Sequence, residues 1–253
     1  MWTIQKRLTD LLKPNAQDRT ISDVRIGLSY TAVRLNTGHA GVAWTPKSST
    51  AGCTRLQNAG TLSGRPALEI LAMLIDHQSS LARAVGLATA NALLAAAPRK
   101  PTMEAEIISS LNIGPDDRVA MVGYFGPVVA RLQKSGCQLD ILELNSDHSM
   151  STLSPKEGKA ALSQCTVAII TGTTLINATF DDIAAGLGNH RAAVLLGPSS
   201  PLCDALFQGT GITHVAGSRV TNTDAILRIV SEGGGTMLMK RYLNFETVLT
   251  GER

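Results

Sequence analysis

The apolar positions change period along the chain. Met1–Leu12 spaces its apolar residues as an amphipathic helix does, with Lys6, Arg7 and Asp10 on the other face. Short β-type runs follow. Val24-Arg-Ile-Gly-Leu-Ser reads as a strand, Tyr30-Thr-Ala-Val-Arg-Leu-Asn as a second strand or its continuation, and Ala40-Gly-Val-Ala-Trp-Thr as a strand returning after the Thr37-Gly38-His39 turn. Helical periodicity returns over Pro66–Asp76 and Ser79–Ala97, with Ser79 placed to cap the second segment. From Arg118 onward, apolar runs alternate with helical segments. The predicted strands are Val119–Gly123, Leu139–Glu143, Thr166–Ile170, Ala193–Gly197 and Thr213–Gly217. Such alternation predicts a parallel sheet covered on both faces.

The fold class is therefore α/β: a Rossmann-like, doubly wound parallel sheet preceded by a smaller α+β unit. Pro98-Arg-Lys-Pro101 marks the boundary, because proline does not continue a helix. The expected domains are residues 1–100 and 101–253, with a short helix over Glu104–Leu111 leading into the second. Residues 46–64 are rich in Ser, Thr, Gly and Ala and read as a long loop.

Composition narrows the function. The chain has 253 residues, a formal net charge of +3 and 4% aromatic residues. So small and scattered a charge argues against a nucleic-acid partner. The apolar run Leu81–Ala97 is broken by Arg83, Thr89 and Asn91 and reads as a buried helix, so no membrane insertion is expected. Cys53, Cys137, Cys165 and Cys203 have neither C-x-x-C nor zinc spacing. They read as reduced thiols of a cytoplasmic protein. A homodimer is compatible with the Ala-rich helices, although no heptad or apolar stripe marks its surface.

In an open parallel sheet, ligands sit beyond the carboxyl ends of the strands. The first predicted strand there runs into Gly123-Tyr-Phe-Gly126-Pro127, where two glycines and a proline suit a tight turn into a helix N-terminus. The third runs into Thr171-Gly-Thr173-Thr174-Leu-Ile-Asn177, with Thr173 or Thr174 as a helix cap. The fourth runs into Gly197-Pro198-Ser199-Ser200-Pro201, where Ser200 is expected to cap a helix beginning at Pro201. Together these turns predict an oxyanion-friendly crevice. Glu143 ends the second strand, twenty residues after Gly123, the spacing at which a carboxylate meets a ribose. The loop is G-x-x-G and lacks the third glycine of a dinucleotide fingerprint. Arg219, after the fifth strand, is either an anion contact or a solvated side chain. Asp147 and His148, in the loop after Glu143, are metal or proton-transfer candidates whose bland alternative is a polar surface loop. His214, at the start of its strand, reads as structural, and neither His77 nor His190 has a ligand-spaced partner. The sequence has no nucleophile elbow, H-E-x-x-H or phosphate-loop lysine, so no catalytic residue is assigned.

Five phrases carry a family resemblance: Tyr30-Thr-Ala-Val, Ala90-Asn91-Ala92, Val122-Gly-Tyr-Phe-Gly-Pro, Thr171-Gly-Thr-Thr-Leu-Ile-Asn and Leu196-Gly-Pro-Ser-Ser-Pro. Across about Ser22 to Met239 the chain resembles the heavy-metal chelation family, formerly a domain of unknown function. The resemblance implies a domain similar to the enolase N-terminal fold followed by a Rossmann-like domain, with a site between them. Carried over by position, the ligand-binding candidates are Tyr30, Thr31, Asn91, Gly123, Phe125, Gly126, Glu143, Thr173, Thr174, Asn177, Gly197, Pro198 and Ser199. The 45–64 loop, with Cys53 and Arg55, would close over them, and Cys53 joins Asp147 and His148 as a metal candidate.

A bare transition-metal site needs three or four converging His, Cys or carboxylate ligands, which the spacing does not assemble. The leading expectation is a small anionic metabolite or a metal chelate bound between the domains, with or without turnover. The alternatives are an enzyme using an adenosyl or nicotinamide nucleotide, with Glu143 on its ribose, and a non-enzymatic sensor or carrier.

Overall fold

The computed structural model describes residues 3–47, 56–98, 102–103, 106–143 and 155–251. The first helix, α1 (Ile4–Ala16), is capped by Thr3, whose hydroxyl accepts the Lys6 N–H, and it extends a turn beyond the sequence expectation. A three-stranded antiparallel sheet follows, in the order β1 (Ile21–Ile26), β2 (Tyr30–Leu35), β3 (Ala40–Trp44). The register pairs Tyr30 with Trp44 and Thr31 with Ala43. The segment expected as one helix over 66–76 divides into α2 (Ala67–Leu71) and a 3-10 turn, Ala72–Ile75.

Helix α3 (Ser80–Ala95) begins at the predicted cap, Ser79, which accepts the Ala82 N–H at 3.1 Å. Nearly every residue from Leu81 to Leu93 is buried, which explains why its sequence is apolar all round. Small residues let the backbones of α3 and its neighbours meet. Gly41 of β3 lies against the α3 backbone at Ala88 and Ala92, and Gly86 lies against Leu74.

The second half begins with the single turn α4 (Ile107–Ser110), capped by Glu106 and shorter than expected. Six strands then form one sheet: β4 (Arg118–Val122), β5 (Gln138–Leu142), β6 (Val167–Thr171), β7 (Ala192–Leu196), β8 (His214–Val220) and β9 (Leu243–Leu249), in the order β5-β4-β6-β7-β8-β9. The first five are parallel, and β9 runs antiparallel beside β8. Strand β9 was not expected from the sequence. Met103 pairs with Thr247 through two backbone hydrogen bonds, so the start of the second half is stitched to the last strand.

Alternate strand residues feed opposite faces. Val119, Met121, Val167, Ile169 and Val194 face α4 and the helix α5 (Gly126–Ser135), with its Val129 and Leu132. Ala120, Ala168, Ile170, Ala193 and Leu195 face the other way. There they share one cluster with Leu162 of α6 (Pro155–Gln164), with Leu175 and Ile176 of α7 (Thr174–Asn177), and with Phe180 of α8 (Phe180–Gly186). That same cluster contains Leu8 of α1 and Leu87 of α3, so one apolar core runs through both sheets. Helices α9 (Thr223–Ser231) and α10 (Thr236–Met239) cover the far side of the small sheet, where Ile226, Val230 and Met239 pack on Tyr30 and Val42.

Backbone and side-chain groups of α1 clamp the two halves. Asp181 accepts the Ile4 N–H, Gln5 Nε2 donates to the Leu175 carbonyl at 3.0 Å, and Arg7 donates to the carbonyls of Ala205 and Gln208. No helix among the described residues is long and apolar enough to cross a membrane.

Candidate functional site

The strand order locates a switch point. The loop after β4 leads to α5 on one face of the sheet, and the loop after its neighbour β6 leads to α7 and α8 on the other. Adjacent loops that diverge to opposite faces leave a gap between them, the topological switch point of a doubly wound sheet. Here the switch point falls between the Gly123–Pro127 and Thr171–Thr174 turns. Gly123 has φ +88°, and a Cβ there would stand 2.8 Å from Thr171 Cγ2, so both the turn and the close approach require glycine.

The polar groups of this edge are mostly hydroxyls. Thr171 Oγ1 lies 3.1 Å from Thr173 Oγ1 and accepts the Thr173 N–H at 3.3 Å. Thr174 Oγ1 donates to the Thr171 carbonyl at 2.8 Å. The neighbouring turn, Gly197–Ser200, closes through a Ser200 N–H to Gly197 carbonyl bond at 2.9 Å. A Cβ on Gly172 would sit 2.6 Å from Ser200 Oγ, so these two turns are in van der Waals contact. Phe125 approaches Gly197, bringing an aromatic ring beside the hydroxyls.

Three expectations about helix ends need correcting. Helix α5 starts as expected, but Pro127 has no N–H, and the N–H groups of Val128 and Val129 both go to the Phe125 carbonyl. Thr173 occupies the cap position of α7, yet its side chain makes no capping bond and the helix is only four residues long. No helix starts at Pro201. The chain runs irregularly to a 3-10 turn, Asp204–Phe207, because the Ser200 carbonyl packs against Gly217 of β8 and holds the segment along the sheet. Hydroxyl groups and ring surface, more than helix N-termini, therefore characterise this edge.

The small sheet is bonded to the same edge: the Trp44 N–H donates to Ser199 Oγ at 2.9 Å. Other candidates of that half have committed polar groups. Thr31 Oγ1 bonds Thr45 Oγ1 at 2.9 Å, and Asn91 Nδ2 donates to the Val42 carbonyl at 2.9 Å. The Tyr30 hydroxyl meets Thr236 Oγ1 at 2.8 Å, and burial pushes its phenol pKa up. Its ring packs on the α9 side of the small sheet.

Of the remaining candidates, Asn177 ends α7, a turn held by Gln5 on the Leu175 carbonyl and Arg83 on the Ile176 carbonyl. Glu143 follows β5, whose last carbonyl, Leu142, accepts the Gly123 N–H at 2.9 Å. Gly126 and Pro198 lie in the β4 and β7 turns. Cys53, Arg55, Asp147 and His148 lie outside the described residues. The sequence reading did not single out Trp44, Thr171 or Gln5. Arg83 was visible there only as a charge interrupting an apolar helix.

Arg219, at the carboxyl end of β8, is not solvated. It bonds Glu246 at 3.0 Å and the Leu94 carbonyl at 2.9 Å, and Asn244 donates to the other Glu246 oxygen. His190 is buried with its ring nitrogens beside the Gly188 and Gly211 carbonyls, and burial pulls the His214 pKa down. No group of three or more His, Cys, Asp or Glu suited to a metal ion occurs among the described residues. Two surface depressions of about 360 and 340 Å³ lie elsewhere, one along the outer side of α5 and the other at the amino ends of the strands around Asp117 and Arg191.

Two family models match, both described as "Putative heavy-metal chelation", over residues 9–94 and 106–249. An uncharacterized protein of Methanocaldococcus jannaschii is 28% identical over 247 residues, covering 94% of this chain and 93% of its own length. A protein of unknown function of the DUF364 family from Pyrococcus horikoshii shares the fold, with a TM-score of 0.85 at 22% identity over 98% of this chain and 100% of that one. A second member of that family, from Desulfitobacterium hafniense, gives 0.83 at 20% identity over 98% of each chain.

Proposed function

The chain belongs to the heavy-metal chelation family, and on that premise we propose that it binds a small anionic ligand, either a metabolite or a metal held in an organic chelate, at the switch point between β4 and β6. The observation that carries this reading is the meeting of the Gly123, Thr171 and Gly197 turns at one strand edge, with Trp44 of the small sheet bonded to Ser199. Hydroxyls of Thr171 and Thr173 and the peptide groups of the glycine turns suit the carboxylate or phenolate oxygens of a chelate. Phe125 supplies ring surface for its organic part. A ligand already carrying its own metal donors asks the protein only for shape, hydrogen bonds and charge balance. Gly123, Gly126, Thr173, Thr174, Gly197, Pro198 and Ser199 would contact it. Tyr30, Thr31 and Asn91 would hold the wall behind Trp44, and Glu143 and Asn177 would flank the opening.

A second reading, an enzyme using an adenosyl or nicotinamide nucleotide, draws on the Gly123–Leu142 bond, which sets the carboxylate-bearing end of β5 beside the glycine turn.

Thermal unfolding of the full chain against transition-metal ions, metal–organic chelates, the free chelators and nucleotides tests both. A ligand at a hundred times its Kd stabilises by about 2.7 kcal/mol, a rise of roughly 5–10 °C for a chain of this size. A rise with chelates that Thr173→Val removes supports the first reading. A rise confined to nucleotides and removed by Glu143→Ala replaces it with the second.

A further inference from the structure

The corner where the β1–β2 loop meets α10 is apolar and uncovered. Leu28, at the tip of that loop, is 79% exposed; Met237 and Leu238 of α10 are 72% and 56% exposed; Ile26, ending β1, is 41% exposed. These are one patch. A Cβ on Gly233 would stand 3.1 Å from Leu28 Cδ1, and one on Gly234 would stand 3.4 Å from Leu238 Cδ1, so Gly233 and Gly234 lie between the two leucines. Met239, one residue on, turns inward and is fully buried. The α10 turn is therefore anchored from below while its outer face carries only apolar groups. Isolated exposed leucines are ordinary; a contiguous exposed apolar group marks an interface, and here Ser29, beside Gly235, is the polar side chain that meets it.

Charge selects the occupant. The chain approaches the patch through exposed Glu232 and leaves it through exposed Lys240 and Arg241. An acidic flank and a basic flank on either side of an apolar centre are self-complementary under a two-fold rotation, which sets the acidic flank of one copy against the basic flank of the other. We propose that this corner is the contact face of a symmetric homodimer, with Leu28, Met237 and Leu238 at its centre and Glu232 facing Lys240 and Arg241 of a second copy.

Sedimentation equilibrium of the full chain tests this. The wild type should give a mass twice the 26.6 kDa of one chain. Leu28→Asp with Met237→Asp should raise the dimer Kd about 100-fold or more while leaving the circular-dichroism spectrum and Tm of the monomer unchanged, since both side chains are exposed. Glu232→Lys should weaken the dimer by placing like charges together. Adding Lys240→Glu and Arg241→Glu should restore it, a rescue that no merely structural effect produces. A monomeric wild type up to about millimolar concentration, or a dimer untouched by the Asp pair, overturns the proposal. A monomer that cosediments with phosphatidylcholine vesicles also overturns it and assigns the corner to a lipid surface.

Discussion

The Trp44 backbone N–H donates to Ser199 Oγ at 2.9 Å, joining residues 155 positions apart at the point where the small sheet meets the carboxyl edge of the large one. Ser199 is buried, so its replacement by alanine leaves the Trp44 N–H without a protein acceptor. Ser199→Ala should cost about 1–3 kcal/mol in urea denaturation. Ser199→Thr, which keeps the oxygen, should cost less. Equal losses for both would place the effect in packing, and no loss for either would remove the bond from the stability of this junction.

The Gly172–Ser200 contact gives opposite predictions for its two members. A Cβ at Gly172 meets the Ser200 backbone N at 2.8 Å as well as Oγ, so Gly172→Ala should destabilise by about 1–3 kcal/mol. Ser200 Oγ is buried and has no partner among the described residues. Its removal in Ser200→Ala should be neutral or slightly stabilising. Differential scanning calorimetry of the two variants distinguishes them by the sign of the Tm change.

Asp117 should make the protein sensitive to acid. Its carboxylate pairs with Arg191 and also accepts from Thr166 and Gly114, and chiefly the Arg191 hydrogen bonds hold its pKa well below the usual carboxylate range. A carboxylate whose folded pKa is depressed contributes stability above its unfolded pKa, near 3.9. That contribution fades as pH falls below about 4 toward the folded value. Asp117→Asn should therefore be less stable than wild type at pH 7, with the gap narrowing at pH 3. Parallel denaturation curves at the two pH values check this.

Asp181 should behave in the opposite sense. Burial raises its pKa, with like charge from Asp182 adding to the rise and the Ile4 N–H opposing it. Its ionised form is thus disfavoured on folding, a cost present above the folded pKa and relieved as pH falls through it. Asp181→Ala removes the acceptor at the start of α1 and should lower stability by about 0.5–2 kcal/mol, the range of a lost helix cap. Asp181→Asn should recover part of the loss and flatten the acid limb, measured by Tm between pH 3 and 7.

The ion pair of Arg219 and Glu246 is nearly inaccessible, with side chains 12% and 1% exposed. Glu246→Ala leaves a buried guanidinium without its carboxylate and should cost about 3–5 kcal/mol. Chelate binding by the surviving folded fraction should be unchanged, because Arg219 is committed to Glu246 and the Leu94 carbonyl. A selective loss of binding would place Arg219 in the site after all.

These positions also explain what the sequence conveyed. The central parallel strands β4, β6 and β7 were legible because burial on both faces makes each a short apolar run, and the edge strand β5 through Leu139, Ile141 and Leu142. Strand β9 was not, because Glu246 is charged and becomes a strand residue only through Arg219, a partner 27 residues earlier. The turns at Gly123 and Thr171 were legible because glycine and threonine mark strand ends chemically. The irregular path after Ser200 was not, because it is set by the bare surface of Gly217 on another strand. Likewise, no local pattern announced that Trp44 would meet Ser199 or that Arg83 would hold the Ile176 carbonyl. Each is a tertiary partner, and periodicity reports only neighbours along the chain.

The clamp made by α1 has a kinetic consequence. Its partners are Leu175, Asp181, Ala205 and Gln208, separated from it by 170 to 201 residues. The apolar face of α1, Ile4, Leu8 and Leu12, packs chiefly on α2, the Ala72–Ile75 turn and α3, neighbours that are close in sequence, whereas the clamp bonds reach the second half. Closure of the clamp over so long a separation is slow. Refolding should therefore pack α1 into the small-sheet half before its clamp bonds to the second half close.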